Sequence, residues 1–457
     1  MTSRLARTLA ALALIAPICF IDVPPAYAQS ARSTATTTAH VAIPESPAGH
    51  VLDAWLEAFN SGDSARLEAY YRRYQPDQTA AGQMRFRNQT GGFDLLGIEK
   101  RAPSHIEFLI KERNSATRAL GVLDVATNAP DSVTFFTLRA MPVSARVADF
   151  MIDSATRASV IDSAIAALNE YYVFPNVAQQ MAQAVRAREA RGKYDSMTNG
   201  LIFAHRLMED FRAVSHDKHL RVDFTPTRLP DGPRRETPED SARFREQMQR
   251  VHCGFAPTKR FPGDIGYLKF DFFANPDICG STVQSAMQSL DGVRALIIDV
   301  RENTGGSPAM VTLVCSYLFP TRTHLNDLWN RETNKTTEYW THPDVRPQFA
   351  HIPIYVLTSR HTFSGGEEFT YDLQTQKRAM IVGEVTGGGA HPVAGHRIGP
   401  HFTIGVPGGR AINPITKTSW EGVGVQPDVK VSAADALATA EKLAAERMGT
   451  RSSPRHH

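Results

Sequence analysis

Residues 356–369 read Val356-Leu357-Thr358-Ser359-Arg360-His361-Thr362-Phe363-Ser364-Gly365-Gly366-Glu367-Glu368-Phe369. A short apolar run of β-branched and aliphatic residues predicts a buried strand. The small residues after it predict a bend, and a helix follows from Gly365. A second stretch repeats the pattern upstream: Arg294–Val300 is a largely apolar strand, Asp299 sits near its end, and Gly305-Gly306 turns the chain into a helix over Ser307–Phe319. Gly266–Phe270, Ile352–Leu357 and Ala379–Val382 predict further strands, with helices over Ser281–Leu290 and Gly365–Gln376 between them. Apolar strands alternating with helices predict an α/β core with a largely parallel sheet. In such sheets functional groups collect beyond the C-terminal ends of the strands.

Both stretches end in that region. The Gly305-Gly306 turn reads either as a tight turn or as a source of unpaired N–H groups for an oxyanion. Ser364 reads either as an exposed nucleophile at a sharp strand-to-helix bend or as a helix N-cap with Glu367 completing a capping box.

The rest of the chain sets bounds. It has 457 residues, 42% of them hydrophobic, and 50 Lys+Arg against 47 Asp+Glu. That is enough apolar matter for a large core, and the near-neutral balance argues against nucleic-acid binding. No paired CxxC spacing suggests structural zinc. Arg4 and Arg7, the apolar run Leu9–Phe20 and Ala26-Tyr27-Ala28 form a secretory signal pattern ending at residue 28. The expected location is therefore exported, periplasmic or secreted, with no stable membrane span once the signal is cleaved. Three cysteines remain after cleavage. Cys315 lies in an apolar run and is expected as a buried thiol, while Cys253 and Cys279 are candidates to pair.

Residues 29–49 have linker composition. Residues 50–145 predict a small α+β domain: helices near 51–59 and 64–74, then strands over Ile98–Arg101, His105–Lys111, Ala119–Ala126 and Ser132–Ala140. Its opening, Trp55-Leu56-Glu57-Ala58-Phe59-Asn60-Ser61-Gly62-Asp63, resembles the nuclear transport factor 2-like (SnoaL-type) cone. Residues 146–225 are expected to be mostly helical, 226–248 a charged, proline-rich loop, and 250–445 the α/β core.

Taken together, "LIIDVRENTGGSPAMV", "VLTSRHTFSGGEEF", "VGEVTGGGAHP" and "WEGVGVQPDV" resemble the S41 peptidase family: tail-specific proteases, the tricorn core and the interphotoreceptor retinoid-binding protein modules. The resemblance spans roughly residues 150–440. It implies a ClpP/crotonase-like core with a helical N-terminal subdomain. It implies Ser364 as nucleophile, with the N–H groups of Gly305, Gly306 and Gly365 as oxyanion hole. The Lys base of tail-specific proteases, about 25 residues after the serine, is missing from Val385-Thr386-Gly387-Gly388-Gly389. The tricorn branch implies a His base and an acidic partner instead: His219 in "SHDKHLRV" and Glu421 in "WEGVGVQPD". His216 is the alternative base, Lys218 stands where the tricorn pattern has a hydroxyl, and His391 is expected to shape the pocket.

The set makes chemical sense. Serine needs an adjacent base, an unperturbed histidine titrates at about 6.5, and a carboxylate holds the imidazole in one tautomer. The expected activity is that of an exported serine peptidase acting on peptide or protein substrates, without metal or organic cofactor. A non-catalytic apolar-ligand binder and an esterase or amidase using the same site are the alternatives, and a homo-oligomer is left open.

Overall fold

In the computed structural model the described residues are 41–451, apart from 77, 143 and 233–236. The signal pattern of residues 1–28 and most of the expected linker lie outside them.

The first unit begins with α1 (Pro47–Ser61), α2 (Ser64–Tyr74) and α3 (Ala80–Thr90). Ser46, Asp63 and Thr79 cap the three helices through their side-chain oxygens. An antiparallel sheet follows in the order β1 (Phe93–Ala102), β2 (His105–Glu112), β3 (Arg118–Ala126), β4 (Ala129–Met141). Register shifts in β1 and between β3 and β4 bend it. Helix α3 was not expected, because Gly82, Gln83 and Asn88 interrupt any apolar stripe along it.

The strands of this sheet alternate, so it packs on both faces. Ile106, Phe108, Ile110 and Leu123 meet the aromatic cluster of α1 around Trp55 and Phe59. Leu120 and Val122 face the helical layer that follows. That layer is α4 (Ser154–Tyr171), α5 (Pro175–Glu189) and α6 (Gly200–Ser215). Glu107 on β2 accepts from Asn199, the N-cap of α6, at 2.8 Å, which ties the two units by a buried hydrogen bond.

β5 (Arg221–Phe224) leaves the helical layer, and α7 (Pro238–Arg250) lies where a loop was expected. Of the prolines that suggested a loop, Pro238 is at the first turn of α7, where it lacks no needed donor. Thr237 and Asp240 form a capping box around it.

The core sheet has six strands in the order β16 (Val429–Lys430), β12 (Met380–Gly383), β11 (Ile354–Thr358), β8 (Ala295–Asp299), β7 (Ile265–Lys269), β6 (Lys259–Phe261). All neighbours are parallel except β6 and β7. Successive side chains point to opposite faces. Leu268, Leu296, Ile298, Val356 and Ile381 pack with residues of α8 (Pro276–Ser289), α9 (Pro308–Ser316) and α10 (Gly365–Thr375). Ile265, Tyr267, Ile297, Tyr355, Leu357 and Val382 pack on the other side against α11 (Ala436–Arg451). Three layers result, with the strands buried on both faces.

Two small sheets complete the core. The order β10 (Lys335–Trp340), β9 (His324–Asn330), β15 (Gly409–Ile412) forms one. The other has the order β13 (Val393–Arg397), β14 (Phe402–Pro407), β5. Pairing of β5 with β14 fixes the site, because it brings the segment just before β5 against the segment just before β13. A disulfide joins Cys253 to Cys279, and Cys315 is a buried free thiol.

Candidate active site

Ser364 stands between β11 and α10 with φ 50° and ψ −120°. A non-glycine residue at positive φ stores roughly 1–3 kcal/mol of strain and persists only where its surroundings enforce it. Those surroundings are the Gly305-Gly306 turn after β8. A Cβ on Gly305 would lie 2.6 Å from Ser364 Cβ, and one on Gly306 would lie 2.1 Å from the Phe273 carbonyl oxygen. Only glycine fits at either position, and both have positive φ.

The capping reading of Ser364 is half realised. Its N–H donates to Glu367 Oε2 at 2.9 Å, while the N–H of Glu367 donates to the Ser364 carbonyl at 2.8 Å. The Ser364 hydroxyl makes no cap hydrogen bond and is left half-exposed at the bend.

The expected oxyanion hole needs one correction. The N–H of Gly305 is taken by Asn303 Oδ1 at 2.9 Å, so Gly305 serves by its lack of a side chain. The N–H groups of Gly306 and Gly365 have no partner among the described residues. They are close together: a Cβ on Gly365 would lie 3.0 Å from Gly306 N, and one on Gly305 would lie 2.8 Å from Gly365 N.

Glu367 is the residue that the sequence reading undervalued. Fully buried, it accepts from four donors: Thr386 Oγ1 and Gly388 N on one oxygen, Gly389 N and Ser364 N on the other. It thus pins the elbow to the turn at 386–389. Burial pushes its carboxyl up to about 7 against those donors, which favour the ionised form. The same turn is held by Lys218 Nζ on Gly387 O at 2.6 Å and by Trp420 Nε1 on Gly389 O at 2.7 Å.

His219 is buried, with its ring 4.6 Å from the ring of Phe363, the neighbour of Ser364. Gly389, 25 residues after the serine, bears on this. A Cβ there would lie 2.8 Å from His219 Cε1, so the imidazole fills the space into which a side chain at 389 would project. Burial is the main cause that pushes His219 down to about 4; Asp217 opposes the shift, and His391, Arg221 and Arg212 add to it. His216, the alternative, is an exposed C-cap of α6 in the left-handed conformation.

Glu421 is not where the sequence reading put it. Among the described residues no ion pair or hydrogen bond joins it to His219, whose Nδ1 has no partner. Its Oε2 accepts from the N–H of Ala390 and lies 3.6 Å from His391 Nδ1. The loop bearing Glu421 is bonded to the 388–390 backbone, through Gly422 N on Gly388 O as well, and this holds the carboxylate on the His391 side. The carboxylate beside His219 is Asp217. Its Oδ1 accepts from the His219 N–H at 3.0 Å and its Oδ2 contacts His391 Nδ1 at 2.7 Å. Burial works to raise Asp217, but His391 and His219 hold it below the ordinary carboxylate range. Burial raises Glu421. One ligand atom each of Asp217, His391 and Glu421 lies within 4.8 Å of the others, a spacing a metal ion accepts. Contacts also tie the group to the backbone N–H of His219 and to that of Ala390.

The model for peptidase family S41 matches residues 264–431, and that for the N-terminal domain of Peptidase_S41 in eukaryotic IRBP matches residues 148–251. The chain belongs to peptidase family S41 and is a serine-type peptidase. Its three-layer core is the ClpP/crotonase-like α/β fold, with α4–α6 as the helical N-terminal subdomain.

Similar solved structures include a putative peptidase from Parabacteroides merdae, at 15% identity and TM-score 0.46, covering 63% of this chain and 96% of that one. Another is a lipoprotein from Streptococcus agalactiae, at 13% identity and TM-score 0.45, covering 67% and 99%. The photosystem II D1 C-terminal processing protease matches at 15% identity and TM-score 0.38, covering 61% and 94%.

Proposed function

We propose that this chain is an exported serine peptidase that cleaves peptide bonds through an acyl-enzyme on Ser364. His219 is its base, and the N–H groups of Gly306 and Gly365 form its oxyanion hole. The observation that carries the reading is the strained Ser364 elbow, its hydroxyl free of the helix cap, set against two unpaired N–H groups.

The steps balance. Ser364 Oγ bonds to the carbonyl carbon, its proton passes to His219, and the C=O π pair moves onto the oxygen, where the two N–H groups stabilise it. Collapse breaks the C–N bond, and the His219 imidazolium returns the proton to the leaving amine. Water then attacks the ester with His219 again as base, and collapse of that second intermediate breaks the C–Oγ bond, the imidazolium returning the proton to Ser364 Oγ as the carboxylic acid leaves. An imidazole held down to about 4 is neutral at pH 7, ready to accept the proton.

Export is supported by the signal pattern of residues 1–28 and suits the Cys253–Cys279 disulfide, which persists in oxidising compartments. The first unit, helices then a bent antiparallel sheet, is consistent with a nuclear transport factor 2-like cone acting as an accessory module.

The test is intact-mass analysis after a fluorophosphonate probe. Wild type should gain a single adduct. His216→Ala should label at the wild-type rate, and His219→Ala should label at least about 100-fold more slowly. Equal labelling of the two histidine variants would remove His219 from the role. No adduct on wild type would favour the apolar-ligand binder, and ester turnover without peptide turnover would favour the esterase.

The pH dependence follows from burial. The rate requires neutral His219, so it should rise as pH climbs through about 4 and be level above about 5.5, well below the limb of an unperturbed histidine near 6.5. An ascending limb near 6.5 on the labelling rate would show that His219 is solvated during the reaction or is not the base.

A further inference from the structure

Between the base and solvent-side loops lies a group of charges that the mechanism above does not use. Asp217, His391 and Glu421 come from three separate segments: the residues before β5, the residues before β13, and the loop between β15 and β16. Asp217 and His391 are buried and Glu421 is mostly so. In serine hydrolases with a histidine base, a carboxylate on the inner ring nitrogen fixes the tautomer and stabilises the imidazolium. His219 has no such partner, since its Nδ1 is buried and unbonded. The nearest negative charge is Asp217, and Asp217 is already divided. One oxygen holds the His219 backbone N–H, and the other holds His391 Nδ1, with the Tyr172 hydroxyl on that same oxygen at 3.3 Å.

We propose that His391 is a positioning residue for the hydrolysis, setting through their shared carboxylate, Asp217, how much negative charge the base His219 feels. This rests on the assignment of Ser364 and His219 made above.

An imidazolium at 391 cancels Asp217 at 2.7 Å and repels a proton arriving on His219; a neutral 391 leaves Asp217 free to stabilise that proton. In a site this dry both interactions are strong, and they are the two largest charge effects on the His219 ring, of opposite sign. Arg221 and Arg212 also face His219 and disfavour its proton. Arg212 has its guanidinium fixed on the carbonyls of Lys218 and Leu220, so its contribution is constant. Glu421 acts one step back. Its carboxylate lies 3.6 Å from His391 Nδ1, close enough to attract a cationic ring there, and is itself held by the Ala390 N–H. The ring of Phe174, edge-on to His391 at 5.5 Å, covers the outer side.

The test reads the pH dependence of fluorophosphonate labelling on the full chain, with Ser364→Ala as the control. His391→Gln retains a side-chain N–H for Asp217 and cannot become cationic. Its ascending limb should move to higher pH by about half a unit or more, as expected when a nearby like charge is removed. Glu421→Gln keeps an acceptor for Ala390 while removing the second negative charge beside a cationic ring at 391; its limb should move the same way by less. Asp217→Asn should move the limb to lower pH and slow the plateau at least about 10-fold.

A purely structural role for His391 predicts a lower plateau with the limb in place, and that result in both His391→Gln and Glu421→Gln would overturn the proposal. Should His391→Gln fail to fold, the Glu421→Gln limb decides alone. Labelling that survives in Ser364→Ala would instead sink the active-site assignment itself, so the two failures are distinguishable.

Discussion

Replacing Ser364 by alanine should lower peptide hydrolysis by at least about 10⁴-fold and leave the fold intact, as loss of a nucleophile does in comparable enzymes. The fold should survive because the hydroxyl supports nothing: it makes no cap hydrogen bond, and the helix start is held by the backbone bonds of Ser364 to Glu367. Alanine at φ 50° carries the same strain as serine, so stability should change by no more than about 0.5 kcal/mol. A companion variant checks that the elbow is strained. Ser364→Gly should be equally inactive yet more stable than Ser364→Ala by about 1 kcal/mol, because glycine adopts positive φ without steric cost. Equal thermal stability of the two variants would deny the strain. Turnover by Ser364→Ala near the wild-type rate would remove Ser364 as nucleophile.

The core was legible because its strands are short apolar runs with a helix after most of them, a pattern that only a sheet covered on both faces satisfies. The predicted strand over Ile352–Leu357 and helix over Gly365–Gln376 differ from β11 and α10 by one or two residues at their ends. The two loops that carry Ser364 and Gly306 were legible for the same reason, since each breaks an apolar strand with small residues.

What stayed hidden depends on partners far away in sequence. Glu367, Glu368 and Asp372 are three carboxylates along α10, and all three are buried. Burial pushes Glu368 up to about 7, and nothing within α10 signals that. The role of Asp217 depends on His391, which β5 and β14 bring to it across 174 residues. Glu421 was expected on His219 because the resemblance to the tricorn branch implies it as the acidic partner, but the sequence carries no sign of which of two histidines the 420–422 loop reaches.

Glu367→Gln should be the most damaging conservative change in the chain. The carboxylate receives two donors on each oxygen: Thr386 and Gly388 on one, Gly389 and Ser364 on the other. A carboxamide has one accepting end. Whichever way it turns, its NH₂ faces two buried donors and leaves them unpaired, at about 1–3 kcal/mol for each. The expected loss is therefore about 2–6 kcal/mol of stability, measured by denaturant unfolding against wild type. The loss of activity should be larger than stability alone explains, because the Glu367 carboxylate is what links Ser364 N to the 386–389 turn, against which His219 rests. At a temperature and denaturant concentration where the variant is fully folded, fluorophosphonate labelling should still fall at least about 10-fold, since misplacing a reacting group by about 1 Å costs on the order of 100-fold. Wild-type labelling by a folded Glu367→Gln protein would show that the glycine contacts at 305 and 306 and the backbone bonds at the start of α10 hold the elbow without this carboxylate.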